Sequence, residues 1–174
     1  MGKTATISID RMMKEDLEQV LAIEQASFTM PWSRNLFLSE FRNSPVSHML
    51  VACTSREPRK IIGYIVCWIV ADELHILDLA TEPGCRRKGI ARQLVLASLR
   101  HGYERSVLRT FLEVRASNNA ALNLYEGLGF VRSSVRKEYY DLPIEDAVVM
   151  SLEREGLIKL VQSDTVEGSG SAEK

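Results

Sequence analysis

Residues 74–92 read Leu74-His75-Ile76-Leu77-Asp78-Leu79-Ala80-Thr81-Glu82-Pro83-Gly84-Cys85-Arg86-Arg87-Lys88-Gly89-Ile90-Ala91-Arg92. An apolar strand-like run leads into a loop, three adjacent cations, a glycine and the opening of an amphipathic helix. That order gathers backbone N–H groups and positive charge at one helix N-terminus. Such an end carries unpaired N–H groups and a partial positive charge, so it can hold a phosphate or pyrophosphate. Gly89 lets the backbone turn and come close to a ligand, and Ala91 leaves room where a larger side chain would intrude. Gly84 and Gly89 have the spacing of a P-loop, but Ile90-Ala91 stands where Lys-Ser/Thr is required. No Gly-x-Gly-x-x-Gly occurs either. The same residues also read as a solvated basic loop before a helix, since basic runs usually face water.

Outward from this segment, the helix spans 89–104 and turns Ile90, Leu94, Ala97 and Leu99 toward a sheet. The basic loop then sits at the C-terminal end of strand 74–81, where α/β proteins place ligands. Upstream, residues 6–11 alternate as a first strand, and Met12 to Glu24 forms a helix with Met13, Leu17, Val20 and Leu21 at helical spacing. Pro31 breaks the chain, and Ser33 caps a second helix to about Arg42 that buries Leu36, Phe37 and Phe41. Strands at 48–54 and 61–71 form a hairpin across the polar turn Ser55 to Lys60. Downstream come a strand at 108–114, a short helix at 118–126, and strands at 130–137 and 147–153. This order predicts a mixed α/β sheet with helices on its faces. Residues 1–162 are read as a single domain and the polar segment 163–174 as a disordered tail.

Composition narrows the function classes. The chain has 174 residues, 45% hydrophobic and 26% charged, the profile of one soluble globular domain. A net charge of −1 excludes nucleic-acid affinity driven by whole-protein charge, so the cations at 86–92 are a local feature. The longest apolar run, Ile61 to Ala71, is strand-sized and interrupted by Gly63, too short to cross a bilayer. No segment resembles a secretory signal peptide. Met1 to Thr6 satisfies the loose myristoylation pattern through one glycine and one threonine, a chance match unless the source is eukaryotic. Cys53, Cys67 and Cys85 are odd in number and widely spaced, and His48, His75 and His101 are scattered. That pattern points to no disulfide framework and no metal site, and a reducing cytoplasm is the simplest setting.

Three later residues stand out. Glu113 lies among apolar neighbours on a strand expected to be central, and such a carboxylate has either an ion-pair partner or a task. Arg115 or Arg87 is the partner in the first case. Asn118 stands at a helix N-terminus, the ordinary place of an N-cap. Tyr125 precedes Gly127, Gly129 and Phe130; it reads either as a core aromatic or as an acid, and either glycine can end the helix in a left-handed turn.

Arg86-x-x-Gly89-x-Ala91, followed by Asn118, Ala120-Ala121, Leu124-Tyr125 and Leu128-Gly129-Phe130, resembles the Gcn5-related N-acetyltransferase (GNAT) superfamily. Met30-Pro31-Trp32-Ser33, Leu112-Glu113-Val114-Arg115-Ala116-Ser117-Asn118, and Tyr139-Tyr140 before Glu145-Asp146-Ala147 are similar to its RimI-type ribosomal-protein-alanine branch. The likeness covers roughly residues 6–153. It implies a mixed, mostly antiparallel sheet flanked by helices on both faces, acetyl-CoA as co-substrate and no metal. It further implies that Leu79, Ala80 and Thr81 present strand backbone to the pantetheine arm. Arg87, Lys88, Gly89, Ile90, Ala91 and Arg92 would hold the pyrophosphate, and Asn118 would bond the coenzyme. Glu113 would be the general base and Tyr125 the general acid. Ala91 replaces the commoner second glycine, and Asp78 adds a carboxylate that competes for the base role.

These residue types suit direct transfer. A carboxylate frees the attacking amine of its proton, and a tyrosine hydroxyl protonates the departing thiolate. With both substrates held together no enzyme nucleophile is needed. The resemblance implies an acceptor that is the N-terminal α-amine of a protein, a small-subunit ribosomal protein, in a groove between the Phe28–Ser33 turn and the Tyr139–Ile144 loop. Trp32, Tyr139 and Tyr140 would be its walls; alternatively these aromatics merely cap the core. No nucleic acid or membrane partner is expected, and the state is a monomer or weak dimer. A free amine or polyamine as acceptor, or a non-enzymatic coenzyme-binding module, remains open on the same fold.

Overall fold

In a computed structural model of residues 6–43, 45–55 and 58–169, the strand that precedes the basic loop lies in a seven-stranded sheet. The elements are β1 (Ile7–Arg11), α1 (Leu17–Ser27), α2 (Arg34–Arg42), β2 (Ser47–Thr54), β3 (Ile61–Val70), β4 (Glu73–Thr81), α3 (Ile90–Glu104), β5 (Arg109–Arg115), α4 (Asn119–Gly127), β6 (Val131–Asp141), β7 (Ile144–Glu153) and α5 (Arg154–Ser169). Strand order is β1-β2-β3-β4-β5-β7-β6. Pairings β1·β2, β2·β3, β5·β7 and β6·β7 are antiparallel, while β4 and β5 pair in parallel from Glu73↔Arg109 to Ile76↔Leu112. This is the mixed, mostly antiparallel sheet with helices that the resemblance implies. The chain divides into two compact units, Met1–Trp68 with Leu77–Ser98, and Ile69–Ile76 with Leu99–Lys174.

In the first unit, α1 turns Leu17, Val20 and Ile23 into a core shared with Phe37, Val51, Ile61 and Val66. The helix expected over 12–24 starts later, because Met12 N–H still bonds Met49 O at 3.0 Å in strand fashion. Residues Lys14–Asp16 make a single 3₁₀ turn, in which the Asp16 carboxylate accepts the Met13 N–H at 2.9 Å. Ser33 caps α2 as predicted, its hydroxyl accepting the Leu36 N–H at 3.3 Å. Leu36 itself is 40% exposed instead of buried. The inward face is Phe37 and Glu40, and Glu40 is tolerated there because the Trp68 indole N–H donates to it at 2.6 Å. Gly63 sets how closely α3 approaches β3 and β4. A Cβ on it would lie 3.0 Å from Ala80 O, 3.1 Å from Ile90 Cγ2 and 3.3 Å from Leu94 Cδ1. The turn residues 56 and 57 lie outside the described residues, as do Met1 to Ala5 of the myristoylation pattern.

In the second unit, β5 pairs along its whole length with β7, from Arg109↔Glu153 to Arg115↔Ala147. The β6–β7 hairpin is longer than the expected 130–137 and 147–153. All of β6 except Tyr140 is exposed, so no apolar alternation marks its extent. A fifth helix, α5, follows β7 where the sequence pattern suggested none; Leu157 is fully buried, and Arg154 Nη1 bonds Val107 O at 2.9 Å. Its backbone runs past Ser163, the expected start of a disordered tail, to Ser169, and 170–174 lie outside the described residues.

Candidate functional site

The first unit carries the anion-binding geometry. After β4, Pro83–Cys85 makes a short turn, and the chain enters α3 through two left-handed residues, Arg87 (φ 63°) and Gly89 (φ 76°). Glycine adopts this region freely, whereas an arginine there is uncommon and strained, a feature typical of functional loops. Gly89 O accepts the Gln93 N–H at 3.0 Å, so the helical ladder begins at Gly89. The N–H groups of Gly89, Ile90, Ala91 and Arg92 therefore have no intrahelical partner, as at any helix start. Ile90 is buried and anchors the turn, while Arg87, Lys88 and Arg92 are exposed beside it.

The cations divide by role. Arg86 ties the loop to the scaffold, Nε to Thr81 O at 3.4 Å and Nη2 to Ser27 Oγ at 3.2 Å. Lys88 Nζ bonds Gly84 O at 3.1 Å, and Lys60 pairs with Glu82 at 2.7 Å, bracing the loop from β3. A Cβ placed on Gly89 would meet nothing within 4 Å, so open space adjoins the helix start. Exposed N–H donors, the exposed cations Arg87 and Arg92 and open space fit a pyrophosphate.

A second feature of this unit corresponds to no sequence motif. Glu24 of α1, Tyr64 of β3 and Asp78 of β4 are 1%, 0% and 7% exposed and meet at the Tyr64 hydroxyl. Glu24 also accepts the Trp32 N–H at 2.6 Å, and the Trp32 ring packs on Phe37, 5.4 Å between centroids. Glu24 was visible as the continuation of the apolar stripe Leu17, Val20 at i+4, and Asp78 as the odd member of Leu74, Ile76, Asp78, Ala80. Tyr64 gave no separate signal.

The second unit holds the other candidates. Glu113 of β5 has a side chain 26% exposed and pairs at 2.9 Å with Arg136 of β6, not with Arg115 or Arg87. The Tyr139 hydroxyl bonds Glu113, and that bond, ahead of burial, raises its pKa. Tyr139 and Tyr140 meet edge to face, 5.2 Å apart. Burial, then the Glu113 charge, pushes the Tyr140 hydroxyl up to about 12. Arg115 instead lies over Tyr140 at 4.1 Å and bonds Leu142 O, Pro143 O and Glu145. Glu145 Oε1 accepts the Ser117 N–H at 2.5 Å, so the β6–β7 turn is strapped to the chain after β5.

Asn118 caps α4, accepting the Ala121 N–H at 3.1 Å. At the other end Gly129 (φ 85°) takes the left-handed turn; its N–H bonds Glu126 O and the Phe130 N–H bonds Tyr125 O, the Schellman arrangement. That closure packs Tyr125 against Phe130 at 5.4 Å and buries both rings. The structure thus brings Glu113, Arg136, Tyr139 and Tyr140 together in one unit and Trp32 with Glu24 in the other. Leu79, Ala80 and Thr81 form the end of β4 as predicted. Among the described residues, no cluster of His, Cys, Asp and Glu could hold a metal ion, and no helix is long and apolar enough to cross a membrane.

Comparison with known proteins bears on the family and the fold. The chain is 32% identical over 147 residues to the ribosomal protein bS18-alanine N-acetyltransferase of Escherichia coli, covering 83% of this chain and 96% of that one. It is 31% identical over 147 residues to the enzyme of the same name from Haemophilus ducreyi, covering 83% and 98%. Its fold is similar to the crystal structure of the Escherichia coli ribosomal-protein-S18-alanine N-acetyltransferase, with TM-score 0.76, 31% identity, and 85% and 94% of the two chains covered. Residues 17–130 match the sequence profile of the acetyltransferase (GNAT) family, and the chain belongs to that family.

Proposed function

We propose that this N-acetyltransferase moves the acetyl group of acetyl-CoA onto the N-terminal α-amine of a protein, the N-terminal alanine of ribosomal protein bS18. The observation that carries the reading is the start of α3, where two left-handed residues aim free N–H groups and exposed cations into open space. The acceptor follows from relatives at 31–32% identity that are named for bS18 alanine.

Acetyl-CoA supplies an acetyl thioester already activated for attack. Arg87 to Arg92 would bind its pyrophosphate by backbone donors and charge, Leu79 to Thr81 its pantetheine arm, and Asn118 the coenzyme as well. Glu113 acts as general base, taking the proton of the acceptor ammonium directly or through water. Tyr125 acts as general acid, giving its hydroxyl proton to the thiolate. The rival base, Asp78, is buried and keeps its proton to about pH 8, which suits it poorly to accept another at neutrality. Trp32 of the first unit is assigned to the acceptor, as are, in the second unit, Tyr139 and Tyr140.

An α-amine has a pKa of about 7.7–8 against about 10.4 for a lysine side chain, so one carboxylate suffices to free it near neutral pH. The test is acetylation of a bS18 N-terminal peptide, an internal-lysine peptide and spermidine, with the product mapped by mass spectrometry. Modification confined to the α-amine supports the reading. Equal modification of lysine, or preference for the polyamine, refutes it, and no turnover with any amine would leave a coenzyme-binding module.

A further inference from the structure

Glu24, Tyr64 and Asp78 form a closed hydrogen-bonded cluster within the first unit, buried between α1, β3 and β4. The Tyr64 hydroxyl bonds Glu24 Oε2 and lies 3.0 Å from Asp78 Oδ2. A phenol has one proton, so it donates to only one of two carboxyl groups. The second bond needs a proton on a carboxyl. Asp78 and Glu24 also hydrogen-bond each other directly, and the remaining donors to the pair are backbone: Trp32 N–H on Glu24 and Leu79 N–H on Asp78. Among the described residues, no lysine, arginine or histidine hydrogen-bonds or ion-pairs with either carboxyl; Arg86 reaches Ser27 at the end of α1 and bonds neither.

Two adjacent carboxylates, buried and without a cation, cannot both be charged. The cluster therefore holds one proton beyond that of the phenol and titrates as a unit. Burial, then the charge of Glu24, pushes Asp78 up to about 8. The groups are satisfied when the extra proton sits on Asp78 and is shared with Glu24 and the Tyr64 oxygen, Tyr64 O–H bonds Glu24, and the Glu24 carboxylate accepts Trp32 N–H. A second path runs through rings, Tyr64 to Phe37 at 5.7 Å and Phe37 to Trp32 at 5.4 Å. Both paths end on the turn that carries Trp32.

We propose that Asp78 is a positioning residue: its proton, shared with Tyr64 and Glu24, holds Glu24 in place, and Glu24 fixes the Trp32 turn for the acceptor. Loss of that proton places two like charges side by side, and Tyr64 can then satisfy only one of them. The grip on the Trp32 N–H loosens, and acceptor affinity falls on the alkaline side. The acceptor half of this inference rests on the assignment of Trp32 to the acceptor groove; the lock itself does not.

The test pairs kinetics with a spectroscopic readout. Trp32 emission is taken as the difference between pH titrations of the wild type and Trp32→Phe. Acceptor and acetyl-CoA KM values are followed from pH 6 to 9.5 in wild type, Asp78→Asn and Asp78→Ala, with thermal melting as the control for folding. The Asn amide donates to Tyr64 and Glu24 at every pH, so Asp78→Asn is expected to keep the neutral-pH acceptor KM and to flatten the alkaline change in emission. Because the acceptor amine is the same in both proteins, the difference between their KM profiles isolates the cluster. Asp78→Ala removes the donor and should raise the acceptor KM by about 10-fold at neutral pH, the equivalent of one hydrogen bond, with acetyl-CoA KM unchanged. An emission titration that persists in Asp78→Asn overturns the proposal whatever the kinetics. Flattened emission without any difference in acceptor KM upholds the lock and refutes the placing of Trp32 at the acceptor.

Discussion

Gly89 offers the sharpest test of the anion site, because its two costs separate. It stands at φ 76°, and a Cβ added to it would have nothing within 4 Å, so Gly89→Val meets no protein atom at its Cβ and costs mainly left-handed backbone strain. That strain is about 1–2 kcal/mol, with a further penalty for a β-branched residue. For a chain of this length each kcal/mol lowers Tm by about 2–4 °C. The added side chain projects into the space where the pyrophosphate would meet the N–H groups of Ile90 and Ala91. Hydrogen bonds to a charged group contribute about 1.5–3 kcal/mol each, so each one lost weakens acetyl-CoA binding about 10- to 150-fold. In the wild type, acetyl-CoA at 100 times Kd should stabilise by about 2.7 kcal/mol, raising Tm by about 5–11 °C. Differential scanning fluorimetry with and without acetyl-CoA, and titration calorimetry, measure both quantities. The expected mutant is folded, slightly less stable, and shows a Tm rise with acetyl-CoA that is reduced to about half or less of the wild type's. A folded mutant with a wild-type Kd removes the start of α3 from the binding site.

Glu113→Gln should lower kcat by about 10²–10⁴-fold with acetyl-CoA affinity intact, the usual range for loss of a general base; a silent Glu113→Gln beside a damaging Asp78→Asn reverses the base assignment. Its stability cost should be below about 1 kcal/mol, because Arg136 is largely exposed and the pair is screened by solvent. Arg87→Gly should raise Tm by relieving about 1 kcal/mol of left-handed strain while weakening acetyl-CoA binding in a salt-dependent way; a lower Tm refutes the strain. Asp78 ties stability to pH: an unfolded aspartate loses its proton near 3.8, whereas the native one keeps it to about 8. Its contribution is therefore full below the lower value and is lost as pH rises through the higher one. The urea midpoint of the wild type should fall from pH 5 to pH 8 more than that of Asp78→Asn, and parallel slopes would contradict the buried proton.

Elements marked by apolar periodicity or by a cap were legible. Ser33 and Asn118 cap their helices through the bonds that their side chains invite, and β4, the basic loop and α3 follow the pattern of residues 74–92 closely. Elements without periodicity were not. β6 is exposed almost throughout, so its extent depends on pairing with β7 and on two register shifts, none of which is local. α5 is held in place by Leu157 and by Arg154 reaching Val107 O. A polar, weakly periodic segment shows neither in advance.

The site divides along the same line. A turn that must approach a phosphate has to be written locally, in glycine and adjacent cations, and so Gly89 and its neighbours could be read directly. A carboxylate's partner need not be local. Glu113 faces Val149 of β7, whose other neighbour in register is Ser134 of β6; Arg136, two residues on, reaches across diagonally. Arg115, the expected partner, is drawn off by the carbonyls of Leu142 and Pro143 and by Glu145. The buried cluster is more remote still, with Tyr64 and Glu24 40 residues apart in sequence. Each member alone looks like an error in an apolar pattern: Glu24 on the inward stripe of α1, Asp78 on the inward face of β4. Only the fold shows that the two errors meet over one phenol. Burial without a cation is what gives them a common proton, so the property proposed here belongs to the packing and to no single residue type.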